Sequence, residues 1–142
     1  MRLQIPYNEL EQFLSENFQQ KMISKIRLAY VDESTIQVSA VVKIKLKVVE
    51  ATIPVKENVS VKKVDGSDVT LTYQAGMAFE LMWERVLKLC EDVAKDMLEK
   101  QDNNTLLVRL GKIDKLNTIL EIVEIRSIRF EPDYINLCFA LK

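Results

Sequence analysis

Through the middle of the chain, Ile36, Val38, Ala40, Val42, Ile44, Leu46 and Val48 take every even position. Gln37, Ser39, Lys43, Lys45 and Lys47 take most of the odd ones. A period of two marks a strand with one buried face. The stretch from Ile36 to Val48 is 13 residues, and at ~3.3 Å each it would run roughly 43 Å, more than twice an ordinary strand. Twist and curvature are expected. Just upstream, Ile26, Leu28 and Tyr30 alternate with Arg27 and Ala29, and Asp32-Glu33-Ser34 supplies a turn. The long strand is thus the second arm of a hairpin. Another hairpin is predicted over residues 58–73, where Val59 and Val61 lead into Asp65-Gly66 and Val69, Leu71 and Tyr73 lead out. Asp102-Asn103-Asn104 reads as a loop and residues 106–110 as a short strand. A last hairpin joins residues 125–130 to Ile135, Leu137, Phe139 and Leu141 through Glu131-Pro132-Asp133.

Helical spacing governs three other stretches. Asn8, with Glu11 three residues on, reads as a cap before Leu10, Phe13, Leu14 and Phe18, and Asp114 caps Leu116, Ile119, Leu120 and Val123. From Met77 to Lys100, Phe79, Met82, Trp83, Val86, Cys90, Val93, Ala94 and Met97 form one stripe, with Glu84, Lys88, Glu91, Lys95 and Glu99 opposite. Such a helix would span ~36 Å, close to the length of the long strand. The two short helices share their spacing, with apolar residues two, five and six positions after each cap, and each precedes a hairpin. Ile26 and Ile36 stand ten apart around the first turn, as Ile125 and Ile135 do around the last. A strand, helix, hairpin unit at both ends is one reading; two amphipathic units under the same capping rules is the other.

Composition narrows the class. A chain of 142 residues, 48% hydrophobic and 29% charged with three glycines and three prolines, matches one ordinary globular domain. Twenty basic residues against 21 acidic ones leave a net charge of −1, which gives no global field toward nucleic acid or an anionic membrane. The first residues, MRLQIPYNELEQF, turn polar too early for a signal peptide core, and no window reaches the ~20 apolar residues of a membrane span. A cytoplasmic location is the expectation.

The lysines at 43, 45 and 47 are read as the solvated side of a half-buried strand, since Val41 and Val49 interrupt the same face. No nucleic-acid partner is expected. Catalysis has little support: the chain has no histidine, its three glycines stand singly, and Asp65 with Asp68 and Glu91 with Asp92 sit on a turn and a solvated helix face. No enzyme activity, cofactor or metal is therefore expected. Cys90 and Cys138 are too few for a disulfide framework and are read as reduced thiols on different sides of the sheet.

A long strand from Ile36 to Val48 laid along a long helix from Met77 to Lys100 resembles the tubular lipid-binding (TULIP-like) superfamily in element order and length. That resemblance implies an α+β fold in which a long, strongly curved antiparallel sheet wraps one long helix, with two short helices besides. It implies non-enzymatic binding of a lipid or other apolar small molecule between helix and sheet. The candidate lining is Val42, Ile44 and Leu46 from the strand and Phe79, Met82, Trp83 and Val86 from the helix. The alternative is an interaction or structural module with a packed core, meeting a protein partner through a sheet edge or the faces carrying Val41, Val49 and Cys138.

Overall fold

The computed structural model of the protein describes residues 1–17, 23–74, 96–101 and 104–142. Turn chemistry builds the larger of two sheets. Strands β2 (Ile23–Asp32) and β3 (Thr35–Leu46) meet at a turn where the Asp32 carboxylate accepts the Ser34 N–H at 2.9 Å and the Ser34 hydroxyl at 3.2 Å. The Ser34 N–H holds that carboxyl below the usual carboxylate range. Lys47, at a left-handed φ of 49°, and Val48 then turn the chain into β4 (Val49–Asp65). Gly66 follows with φ 68°; a Cβ there would meet nothing within 4 Å, so the backbone angle is what calls for glycine. Strands β5 (Asp68–Tyr73), β6 (Leu98–Gln101) and β7 (Thr105–Arg109) complete a six-stranded antiparallel sheet in the order β2-β3-β4-β5-β7-β6.

The smaller sheet draws on both ends of the chain. β1 (Arg2–Pro6) pairs with β9 (Tyr134–Leu141), which pairs with β8 (Val123–Phe130), all antiparallel. Helix α1 (Tyr7–Asn17) links the sheets at one end; a 3-10 turn (Leu110–Lys112) and helix α2 (Asp114–Leu120) link them at the other. The helices begin at Tyr7 and at Asp114 itself, so neither expected cap residue lies outside its helix, and Ile113 at the α2 cap position makes no side-chain cap bond.

Alternation decides which faces meet. Ile36 opposes Val59 and Val38 opposes Glu57 in register. The apolar members of these rows, with Leu28 and Val61, pack against Tyr7, Phe130, Ile135, Ile128 and Leu137 from the other layer. A neighbouring cluster joins Leu120, Val123 and Ile125 to Val64, Leu110, Leu116 and Phe139. Main-chain bonds tie the layers as well: Ile125 donates to the Gly66 carbonyl at 2.9 Å and Phe130 to the Glu33 carbonyl at 2.8 Å. Tyr7 adds a hydroxyl donated to the Glu131 carbonyl. Burial raises the pKa of that hydroxyl, helped by the charges of Tyr30, Glu131 and Asp133, while the hydrogen bond works in the opposite direction.

The expected architecture, one curved sheet around a helix from Met77 to Lys100, is overturned. The chain is mostly strand, arranged as two sheets, and Leu98, Glu99 and Lys100 pair with Val108, Leu107 and Leu106 as part of β6. Residues 77–95 of the expected helix lie outside the described residues. The apolar signal at its end has another cause: Met97 is buried with Leu98, Val108 and Ile113 beside the sheet. Three shorter readings hold in position, namely the turns at Glu33–Ser34, at Gly66 and between Phe130 and Tyr134.

Candidate functional site

One part of the larger sheet outruns its neighbours. β2 stops pairing with β3 at Ile23 opposite Val42, and β5 reaches β4 only as far as Tyr73 opposite Val59. Beyond Val42, β3 and β4 pair only with each other among the described residues: Lys43 with Thr52, Ile44 with Ala51, Lys45 with Glu50, and Leu46 with Val49. Those four pairs make a two-stranded ribbon roughly 13 Å long at the usual rise.

The ribbon ends in an apolar tip with basic flanks. Val48 is 97% exposed and Val49 61% exposed. Lys43 and Lys47 are exposed beside them, and Lys43 reaches Glu50 across the ribbon at 3.7 Å. Both partners of that ion pair are about half exposed, so water and salt screen it and it contributes at most about 1 kcal/mol. Two rows further in on the same outer face, past Val41 and Pro54, the row of Arg27, Ser39 and Lys56 adds two more cations, and Arg27 lies 3.7 Å from Glu11 of α1.

Where the ribbon joins the body, its inner face closes. Val42 is 6% exposed and packs on Ile23, Ile53 and Val55, a cluster separate from the main core. Glu57 also lies on the inner side, opposite Val38 in register, and is 8% exposed. Burial pushes its carboxyl pKa up, against the opposing effect of N–H donors from Gln74 and Asn58. On the outer face Asn58 has a buried side-chain oxygen that finds no hydrogen-bond donor among the described residues. One row away, register aligns Thr35, Ser60, Thr72, Thr105 and Gln101 across five strands, and the Thr35 and Ser60 hydroxyls meet at 2.7 Å.

Of the seven residues expected to line an apolar cavity, the described residues include Val42, Ile44 and Leu46, all on β3. Val42 is buried as described. Ile44 and Leu46 follow it along β3, and Phe79, Met82, Trp83 and Val86 lie outside the described residues. The exposed tip was missed by the sequence reading, which took Val48 as the last buried position of one long strand. A signal existed: Val49, Ala51, Ile53 and Val55 alternate from the residue after Val48. That alternation implies a second long strand and hence a turn at Lys47–Val48.

Of the other side chains named for chemistry, Cys138 is a free thiol, half-buried on the face opposite Leu137 and Phe139, and Cys90 lies outside the described residues. Asp65 and Asp68 face each other across the β4–β5 turn. Among the described residues no three His, Cys, Asp or Glu side chains could hold a metal ion, and no helix is long and apolar enough to cross a membrane. Compared with known proteins, the chain matches no family model, no curated protein and no solved structure.

Proposed function

We propose that the protein is a non-enzymatic interaction module whose working surface is the free end of the β3–β4 ribbon. One observation carries this: two adjacent valines, 97% and 61% exposed, stand at the end of strands that outrun the other described strands of the sheet. A large apolar side chain at the far end of a two-stranded ribbon adds nothing to the core. Its exposure to water is unfavourable, and a partner that covers it gains about 1.5–3 kcal/mol per fully buried side chain. The test is a photo-crosslinking amino acid placed at Val48 and, as a control, at exposed Glu121. Crosslinks that form in cells at position 48 and not at 121 are the expected result. Equal labelling at both positions would remove the ribbon from consideration.

A second reading, an apolar small molecule seated beside Val42, draws on the separateness of the cluster formed by Val42, Ile23, Ile53 and Val55. Native mass spectrometry tests it directly. A bound molecule of fixed mass, lost when Val42 becomes Asp, would favour this reading over the ribbon.

A further inference from the structure

We infer that the partner of the ribbon tip is an anionic lipid surface, an assignment that rests on the reading of the ribbon as the working surface. The argument begins with charge. From the row of Arg27, Ser39 and Lys56 to the end of the ribbon, the described side chains of the outer face and of the closing turn include Arg27, Lys43, Lys47 and Lys56 against a single acidic residue, Glu50. Four cations against one anion leave an excess of three, or two when Glu11 beside Arg27 is counted. The whole chain carries −1, so basic charge is gathered at this end against the balance of the molecule. The complementary partner is negative.

The apolar tip selects among negative partners. Val48 extends past the last strand pair, and Val49 opens the inner side of the same ribbon while Lys43 stands on the outer side and Lys47 in the turn. An anionic bilayer meets both demands at once: lysines lie at the level of the phosphates and the valines enter the boundary with the acyl chains. A nucleic acid would engage the lysines, yet among the described residues this outer face offers no aromatic ring on which a base could stack. A peptide strand adding to the edge of β4 that has no partner among the described residues would meet Pro54, which has no N–H to give.

The experiment is flotation of the full chain with vesicles of phosphatidylcholine alone and vesicles rich in phosphatidylserine. Association with the second and not the first is expected, weakening as salt is raised. Replacing Lys43, Lys45 and Lys47 together by Gln is expected to weaken it by roughly a hundredfold, about fivefold for each charge near the surface. Val48→Asp is expected to weaken it by more than about tenfold, through loss of the apolar contact and repulsion from the lipid. Val48→Ser keeps the charge constant and is expected to act in the same direction but less strongly. Unchanged circular dichroism and thermal unfolding identify variants that have kept the fold. If the protein ignores both kinds of vesicle while position 48 still crosslinks, the lipid assignment falls and the working ribbon stands. If position 48 crosslinks no more than position 121, both fall. Binding to phosphatidylserine that needs the lysines, is indifferent to Val48→Asp and Val48→Ser, and is displaced by DNA would replace the lipid with a nucleic acid.

Discussion

Ile36 and Val48 belong to one alternating series, and the fold treats them in opposite ways. At the base of the hairpin, Ile36 is 5% exposed, paired with Val59 and covered by Phe130 and Ile135 from the three-stranded sheet. At the far end, Val48 is almost fully exposed in the turn, beyond the reach of β2 and β5. A period of two reports which side of a strand a residue points to. It carries no information about whether a second layer extends far enough to cover that side.

The sharpest way to break the comparison is to truncate both ends of the series. Ile36→Ala is expected to cost about 2–5 kcal/mol, because the cavity opens between two packed sheets that can relax only in part. Val48→Ala is expected to stay within about 0.5 kcal/mol. Denaturant unfolding measures both, and equal costs would show that the tip is covered in solution. Val42→Ala tests where the change occurs. With Ile23, Ile53 and Val55 packed around it, it is expected to cost about 2 kcal/mol. A cost near zero would move the free end of the ribbon inward by two rows.

The two ends of the chain were legible in the sequence because their signals are local. Ile26, Ile36, Ile125 and Ile135, singled out by their ten-residue spacing, are all buried. Each unit runs strand, helix and hairpin, and both hairpins carry a register shift near the start of their first strand. Ile36 and Ile135 face each other in one core cluster. The first half of β4 was missed because Lys47 and Val48 are not turn formers and Pro54 reads as a strand breaker. A proline is tolerated there because β4 has no second described neighbour at that point. The strand Leu98–Gln101 was hidden by the helical stripe that ends at Met97, the residue just before it, with Glu99 fitting the polar face of the expected helix. The pairing of β1 with β9 has no periodic signature, since it brings together residues more than a hundred positions apart. Of the candidate site, the even series placed Val42, which is buried, while Phe79, Met82, Trp83 and Val86 lie outside the described residues.

The cover over the base can be loosened without touching the ribbon. Tyr7 is buried in the main cluster, and its hydroxyl donates to the Glu131 carbonyl in the β8–β9 turn. Tyr7→Phe keeps the ring and removes the bond, leaving the carbonyl short of a donor. A loss of about 1 kcal/mol is expected. Hydrogen exchange is expected to quicken in the turn at residues 131–133 and to stay unchanged at residues 47–50. Faster exchange at both would mean that tip and base open together.

A pH-dependent effect is expected from Glu57, the acidic side chain on the inner face near the point where β3 and β4 outrun the other described strands. Burial raises its folded-state pKa above the unfolded value near 4.3, and the Gln74 and Asn58 N–H groups offset that in part. Below the unfolded value both states hold the proton and the group is neutral to stability. As pH rises, the unfolded chain releases its proton first, so the folded state binds more protons and stability falls until the folded pKa is passed. Glu57→Gln, nearly isosteric and permanently neutral, removes that fall. The variant is expected to match the parent in acid and to exceed it at neutral pH by less than about 1 kcal/mol. If the two unfolding profiles stay parallel from acid to neutral pH, the carboxylate is solvated in the folded state and the inner face of the ribbon is open as far in as Val38.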